Sequence, residues 1–350
     1  YVGDARKPIK VNQLLKLNGD QYSRIDEGQT GDICAIPRVD AVHYDAVLHD
    51  SHEEDHFHLK SIDLPRPMYG LAIKPPRDSD AQKTSDVLHT IEAEDPSLSL
   101  EHNAALNEIV LRGLGDLHLR TLLELIADRY NLEVKTAPPS IAYRETITRP
   151  AEGHCRHKKQ TGGAGQFGEV YLRIEPLPKG AGFEFVSKVV GGAIPYQYLP
   201  AVETGVRQVM QSGANYGYPM QDIRVTVYDG KHHPVDSKEI AFVQAGKKAF
   251  LEAIAQAGPI LMEPVVEVTV TVPSRCAGGV TGDLSSMRGM VSGTEALADN
   301  RMLVSGQVPL KEMQAYHSRL KSLTGGDGSF TMDFSHYAQV SPEALDLEAT

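Results

Sequence analysis

At the start of the chain apolar and polar residues alternate in short runs, IKVNQLLKLNG, QYSRIDEGQTGDICAIPR and AVHYDAVLHDS, set between Gly and Asp. A period of two between turn formers predicts short strands, and residues 1–62 read as part of a β-barrel. Roughly sixty residues supply too few strands to close a barrel, so the remainder lies outside the chain or an edge stays open.

From Arg66 strands and helices alternate. RPMYGLAIKPP predicts a strand, DSDAQKTSDVLHTIEAEDP a helix opened by Asp78 or Ser79, and SLSLEHN with NEIVLRG a hairpin. GDLHLRTLLELIADRYN predicts a second helix, with Leu119, Leu122, Leu123, Leu125 and Ile126 as its apolar stripe, and LEVKTA a last strand. The order β-α-β-β-α-β is that of a split βαβ, or ferredoxin-like, sandwich. It returns near the C-terminus: PVVEVTVTVP, a helix in GGVTGDLSSMRG starting near Thr281 or Gly282, the hairpin MVSGTEAL and RMLVSGQVP, the helix LKEMQAYHSRLKSLTGG, and SFTMDFSHY.

Between these repeats come strands in IAYRETITRP, EVYLRIEPL and FEFVSKVV, a helix in YLPAVETGVRQVMQSG, and a strand and polar turn in DIRVTVYDGKHHPVDS. A helix follows in DSKEIAFVQAGKKAFLEAIAQAG, with Ile240, Val243, Phe250 and Ile254 on one face. The predicted class is α+β and multi-domain, divided as 1–62, 63–140, 141–262 and 263–350.

Composition narrows the partners. With 350 residues, 41% hydrophobic and 23% charged, the chain exceeds one ordinary core and has no apolar run long enough to span a bilayer, so no membrane partner is expected. A net charge of -11 argues against nucleic acid if read as a sum, yet residues 141–262 hold 14 Lys and Arg against 11 Asp and Glu and form the only basic part. The three cysteines Cys34, Cys155 and Cys276 are scattered and odd in number, which points to a reducing, cytoplasmic setting. The opening YVGDARKPIK has no initiator Met and no secretory pattern, as expected of a piece of something longer.

Two Gly-bearing loops leave strands in the basic segment. Lys158-Lys159-Gln160-Thr161-Gly162-Gly163-Ala164-Gly165-Gln166-Phe167-Gly168 reads either as a phosphate cradle, its backbone N–H groups turned toward an anion beside two lysines, or as a flexible hairpin. The turn Asp229-Gly230-Lys231-His232-His233-Pro234-Val235-Asp236 places a cation and two imidazoles on a short projection, suited to bases and phosphate, or is simply an exposed polar loop. Asp236 or Ser237 is free to cap the helix beyond it.

Other clusters favour structural readings. His49, His52, His56 and His58 among Asp50, Glu53, Glu54 and Asp55 match no familiar zinc spacing and read as a solvated linker, and His154, Cys155 and His157 lack a second half-site. His118 sits on a leucine-rich helix and takes a packing role. No metal site, no catalytic triad or carboxylate pair and no P-loop is found, so nucleotide binding by a P-loop is not expected of this chain.

At GLGDLHLRTLLELIADRYNLEVKTAPPSIAYRETI, GHCRHKKQTGGAGQFGEVYLRIEP, GGAIPYQYLPAVETGVRQVMQSG, GKHHPVDSKEIAF, ILMEPVVEVTV, GDLSSMRGMV and VPLKEMQAYHSRLKSLTGGDGSF the chain resembles bacterial elongation factor G, in register from about residue 10 onward. The resemblance implies that 1–62 is the end of the β-barrel domain II, 63–140 domain III and 263–350 domain V. It makes 141–262 domain IV, an elongated domain like domain 2 of ribosomal protein S5. It implies a cytoplasmic translational GTPase whose GTP and Mg2+ are held by an N-terminal domain outside this chain, and no cofactor or catalytic residue within it. The implied partners are the ribosome, tRNA and mRNA: the tip of domain IV enters the small-subunit decoding region, and domain V lies against the GTPase-associated and sarcin–ricin regions of the large subunit.

Carried over by position, His233 falls on the family's tip histidine, and Gly162, Gly163, Gly165 and Gln166 fall on the companion loop. Lys231 and His232 are added contacts, with Lys158 and Lys159 in support. Family loops carry a basic residue where this chain has Ala164 and an Asp where it has Pro234, and the tail after Tyr337 is short and acidic, as in divergent elongation factor G-like paralogues. Two other functions fit the same residues: a ribosomal protection or rescue factor of the same GTPase class, and a free-standing RNA-binding scaffold.

Overall fold

A computed structural model describes residues 1–350 except 6, 20, 104–105, 161–164, 342–343 and 345–350. The chain divides into two compact units, Tyr1–Pro138 and Pro139–Thr350.

In the first unit, strands β1 (Leu14–Asn18) and β2 (Gln21–Ile25) form an antiparallel hairpin, and isolated bridges tie Leu15 to Ala35 and Val2 to Leu48. These are the pairings found where a partial barrel was predicted. The predicted sandwich follows as β3 (Tyr69–Lys74), α1 (Ala81–Glu94), β4 (Ser99–Asn103), β5 (Glu108–Gly113), α2 (Asp116–Tyr130) and β6 (Lys135–Ala137). Its antiparallel sheet has the order β4-β5-β3-β6, the ferredoxin-like arrangement. Helix α1 buries Thr84, Val87, Leu88 and Ile91, a spacing of three and four that lays one stripe on the sheet. In α2 the buried pair is Leu119 and Ile126, while Leu125, placed on the stripe by sequence, is 42% exposed. Six residues beyond Leu119 it sits about 120° round the helix from the buried face. Asn131, left-handed at φ 49°, ends the helix.

The second unit opens with β7 (Arg144–Ile147), β8 (Ala151–Lys159), β9 (Gln166–Pro176), β10 (Phe183–Ser187), α3 (Leu199–Ser212), β11 (Ile223–Lys231) and α4 (Glu239–Gln256). The sheet order is β10-β11-β9-β8, with β10 and β11 parallel across the α3 crossover. Val170, Leu172, Ile174, Val225 and Val227 point to one face and are fully buried beneath α3 and α4. Helix α4 presents Phe242, Ala245, Ala249, Phe250, Ala253 and Ile254 to that core, whereas Ile240, predicted on its apolar face, is 49% exposed. Small residues let the two helices approach closely: a Cβ at Gly205 of α3 would stand 2.2 Å from the Val243 carbonyl of α4.

Strand β12 (Pro259–Pro273) leads into α5 (Ala277–Ser286), β13 (Met290–Ala296), β14 (Arg301–Pro309), α6 (Leu310–Met313), α7 (Tyr316–Thr324) and β15 (Ser329–Gln339), in the order β13-β14-β12-β15. This repeats the ferredoxin-like arrangement. Three details differ from expectation. Helix α5 starts at Ala277, earlier than Thr281, because a turn at Ser274–Cys276 runs straight into it. The helix predicted over LKEMQAYHSRLKSLTGG is split into α6 and α7. Strand β7, grouped by sequence with the strands that follow it, pairs instead with Pro259–Met262 of β12, so one strand carries two structures.

Candidate nucleic-acid interface

Strands β8 and β9 pair from Ala151↔Ile174 to Lys159↔Gln166 and so carry their connecting loop to one end of the sheet. Strand β11 runs beside β9 to the same end, where Lys231 lies opposite Glu169. The loop after β11 therefore emerges next to the β8–β9 loop. Of the residues singled out in that loop, Gly162 and Gly163 lie outside the described residues; Gly165 and Gln166 are described.

A compact set of bonds pins the two loops together. Phe167 N donates to Asp236 O at 2.9 Å, and Ser237 Oγ donates to Phe167 O at 3.0 Å while accepting from His233 N at 2.8 Å. A Cβ at Gly165 would stand 2.8 Å from the Asp236 carboxyl carbon. Asp236 and Ser237, read from sequence as caps for α4, thus serve the loop contact, and α4 begins at Glu239 with Lys238 at its N-cap making no side-chain bond.

The two imidazoles are held differently. The His233 ring receives Val235 N at 3.3 Å and Asp236 N at 3.2 Å on Nδ1, which fixes that nitrogen as acceptor and puts the proton of the neutral ring on Nε2. His232 Nδ1 faces Ala193 O at 3.2 Å; a carbonyl only accepts, so Nδ1 carries the proton and Nε2 is left as acceptor. Side by side, the pair presents one donor and one acceptor. The carboxylate of Asp236 stands 3.5 Å from His233 Nδ1, ready to pair with the imidazolium if the ring is protonated. Lys158, Lys159 and Lys231 are exposed at this end, with no carboxylate in ion-pair range among the described residues. Arg156 lies 5.4 Å over the Phe167 ring. Unneutralised cations on anchored backbone suit phosphate, which they bind by displacing counterions.

Sequence reading missed a third element here. Residues 188–198, between β10 and α3, reach the same end: Ile194 is 2% exposed and a Cβ at Gly230 would stand 2.5 Å from its side chain. The paired Gly191 and Gly192, at φ +68° and +70°, before Pro195 were the available turn signal.

The remaining clusters take structural roles. His49 offers both ring nitrogens to carbonyls, Gly3 O at 2.7 Å and Ser51 O at 2.8 Å, and both bonds need a proton, so the Gly3 bond above all raises its pKa. His52 pairs with Asp55, and His56 and His58 with Asp4. Among the described residues no group of His, Cys, Asp or Glu is placed to hold a metal ion. His154 stacks on Tyr171 and pairs with the buried Glu169 at 2.9 Å. Cys155, on the opposite face, packs against the core, where burial raises its thiol pKa, and His157 meets Gln166. His118 accepts from Leu114 N at 3.2 Å and donates to Asp95 at 3.1 Å. No helix among the described residues is long and apolar enough to cross a membrane.

Comparison with known proteins gives one consistent result. Residues 64–138 match the family profile described as elongation factor G, domain III, residues 139–258 that of elongation factor G, domain IV, and residues 260–347 that of the elongation factor G C-terminus. An elongation factor G of Aquifex pyrophilus is 40% identical over 343 residues, 97% of this chain and 48% of that protein. A crystal structure of a Thermus thermophilus protein superposes with a TM-score of 0.80 at 34% identity, over 97% of this chain and 51% of that one. The chain thus spans about half the length of these relatives, and by three adjoining domain matches and a near-complete alignment it belongs to the elongation factor G family.

Proposed function

We propose that this chain is the ribosome-engaging part of a cytoplasmic translational GTPase that promotes movement of tRNA and mRNA during protein synthesis. The observation that carries the reading is the joined tip: two loops from separate strands, locked by Phe167, His233, Asp236 and Ser237, that hold Lys158, Lys159, Lys231, His232 and His233 at one end of the basic segment. In this reading the tip enters the small-subunit decoding region and acts there by shape and charge rather than by bond chemistry. In the same reading Gly165 and Gln166 belong to the companion loop as its second finger, and Gly162 and Gly163, outside the described residues, are assigned to that loop by sequence position alone. The C-terminal sandwich lies against the GTPase-associated and sarcin–ricin RNA of the large subunit. GTP and Mg2+ belong to a nucleotide-binding domain of the full-length protein, whose hydrolysis cycle biases rotation of whole domains.

The test is a GTP-dependent translocation assay with the full-length protein and its Lys231→Ala, His233→Ala double variant. Because a tip makes few of the total contacts, the expected result is movement slowed about tenfold or more with ribosome affinity reduced by less than about threefold. An unchanged rate in the double variant would refute the tip assignment. Ribosome binding with no tRNA movement by the unmodified protein would favour a protection or rescue factor instead.

A further inference from the structure

The loop Lys188–Tyr198 holds an aromatic ring that the fold does not use. Three residues alternate along it: Ile194 is 2% exposed, Tyr196 is 87% exposed, and Tyr198 stacks on Phe242 with centroids 4.8 Å apart. The two inward residues anchor the loop, Ile194 against Gly230 and Tyr198 through its hydroxyl to Ser237 O at 3.1 Å. Two further bonds fix its shoulders, Lys188 N to Val227 O at 2.7 Å and His232 Nδ1 to Ala193 O at 3.2 Å. Among the described residues the Tyr196 ring has neither a hydrogen bond nor a ring contact.

We infer that Tyr196 is a base-stacking contact, and that residues 188–198 form a third finger of the tip whose partner is an unpaired nucleotide of RNA. This deepens the proposed function and rests on it. A tyrosine on anchored backbone has only two side-chain torsions to order on binding, and its π-face accepts any base. The surroundings favour RNA over a protein anchor. The two residues that follow Tyr196, Gln197 and Tyr198, line a depression of about 630 Å³ together with Ser237, Lys238, Glu239 and Ile240, in which Lys238, next to the acidic Glu239, is a cation suited to the backbone phosphate of the stacked nucleotide. Lys231, the last residue of β11, is a further exposed cation at this end. The bond between His232 and Ala193 ties the third finger to the loop that follows β11.

Two experiments on the full-length protein test the inference. The translocation rate should fall about tenfold in Tyr196→Ala and in Tyr196→Leu, and stay within about twofold of the parent in Tyr196→Phe and Tyr196→Trp, since only the last two keep a stacking face; ribosome affinity, to which a tip contributes little, should change by less than about threefold throughout. A benzophenone amino acid at position 196 should cross-link to RNA on irradiation. A parent-like translocation rate for Tyr196→Ala, or cross-links confined to ribosomal protein, would overturn this inference while leaving the proposed function standing. Failure of the parent itself to bind ribosomes would remove both, whereas loss on Tyr196→Leu but not on Tyr196→Phe is the pattern that separates stacking from mere bulk.

Discussion

Glu145 shows what a single residue does for the site. Its carboxylate is fully buried and accepts four backbone N–H groups of the segment that leaves α3: Ala214 at 3.3 Å, Asn215 and Tyr216 at 2.9 Å, and Tyr218 at 3.0 Å. Four donors that would otherwise be unpaired are satisfied by one side chain, and the path from α3 back to β11 is fixed. Charge-assisted bonds of this kind contribute roughly 1.5–3 kcal/mol each, so Glu145→Ala should destabilise the second unit by at least about 3 kcal/mol, read as a fall in its denaturant midpoint. A loss under about 1 kcal/mol would mean that water replaces the carboxylate freely. Nothing in RETI distinguishes this glutamate from a solvent-facing one, because its partners lie some seventy residues away and no local pattern encodes them. His233 was legible by contrast, since a turn between a strand and a helix announces itself through Gly230 and Pro234; what sequence withheld was which ring nitrogen is free.

At the scale of elements, legibility followed apolar periodicity. The split βαβ orders were readable because α1 buries Val87, Leu88 and Ile91 at helical spacing and β12 buries Val266, Val268, Val270 and Val272 in strict alternation, while β3 and β5 are short apolar runs. Strand β8 was not predicted as a full strand: its inward positions are Gly153 and Cys155, which carry no hydrophobic signal. Glycine is required there because a Cβ would stand 2.0 Å from the Ala249 carbonyl of α4. The α3–α4 contact obeys the same rule, and Gly205→Ala should force the helices apart at a cost of roughly 1–3 kcal/mol, measured by urea unfolding; a neutral substitution would show that the contact relaxes. A second prediction belongs to the link between α1 and α2. Burial raises the Asp95 carboxyl, but bonds from Ser97 Oγ at 2.6 Å, Ser97 N at 2.8 Å and His118 outweigh it and hold the pKa below the usual range. A lowered folded pKa stabilises above the unfolded value and is lost as pH falls through the folded one, so the first unit should weaken below about pH 4. Asp95→Asn should flatten that acid dependence, and an unaltered pH profile would contradict the assignment.

Over the second unit as a whole, one strand does the joining. Strand β12 pairs with β7 over Pro259–Met262 and then forms the centre of the C-terminal sandwich between β14 and β15. The tip-bearing sheet is therefore tied to a second structure by β7, which precedes β8 and pairs with β12, and by α4, which runs directly into β12. The net charge of -11 conceals a local excess of cations, and the field at the tip depends on the loops being brought together rather than on the sum. The salt dependence of ribosome binding measures that most directly. Each phosphate contact contributes about 0.9 to the slope of log affinity against log salt, so replacing Lys158, Lys159 and Lys231 together by Ala should lower the slope by roughly 2–3. Identical slopes for the parent and the triple variant would place the phosphate contacts elsewhere and contradict the account of the tip.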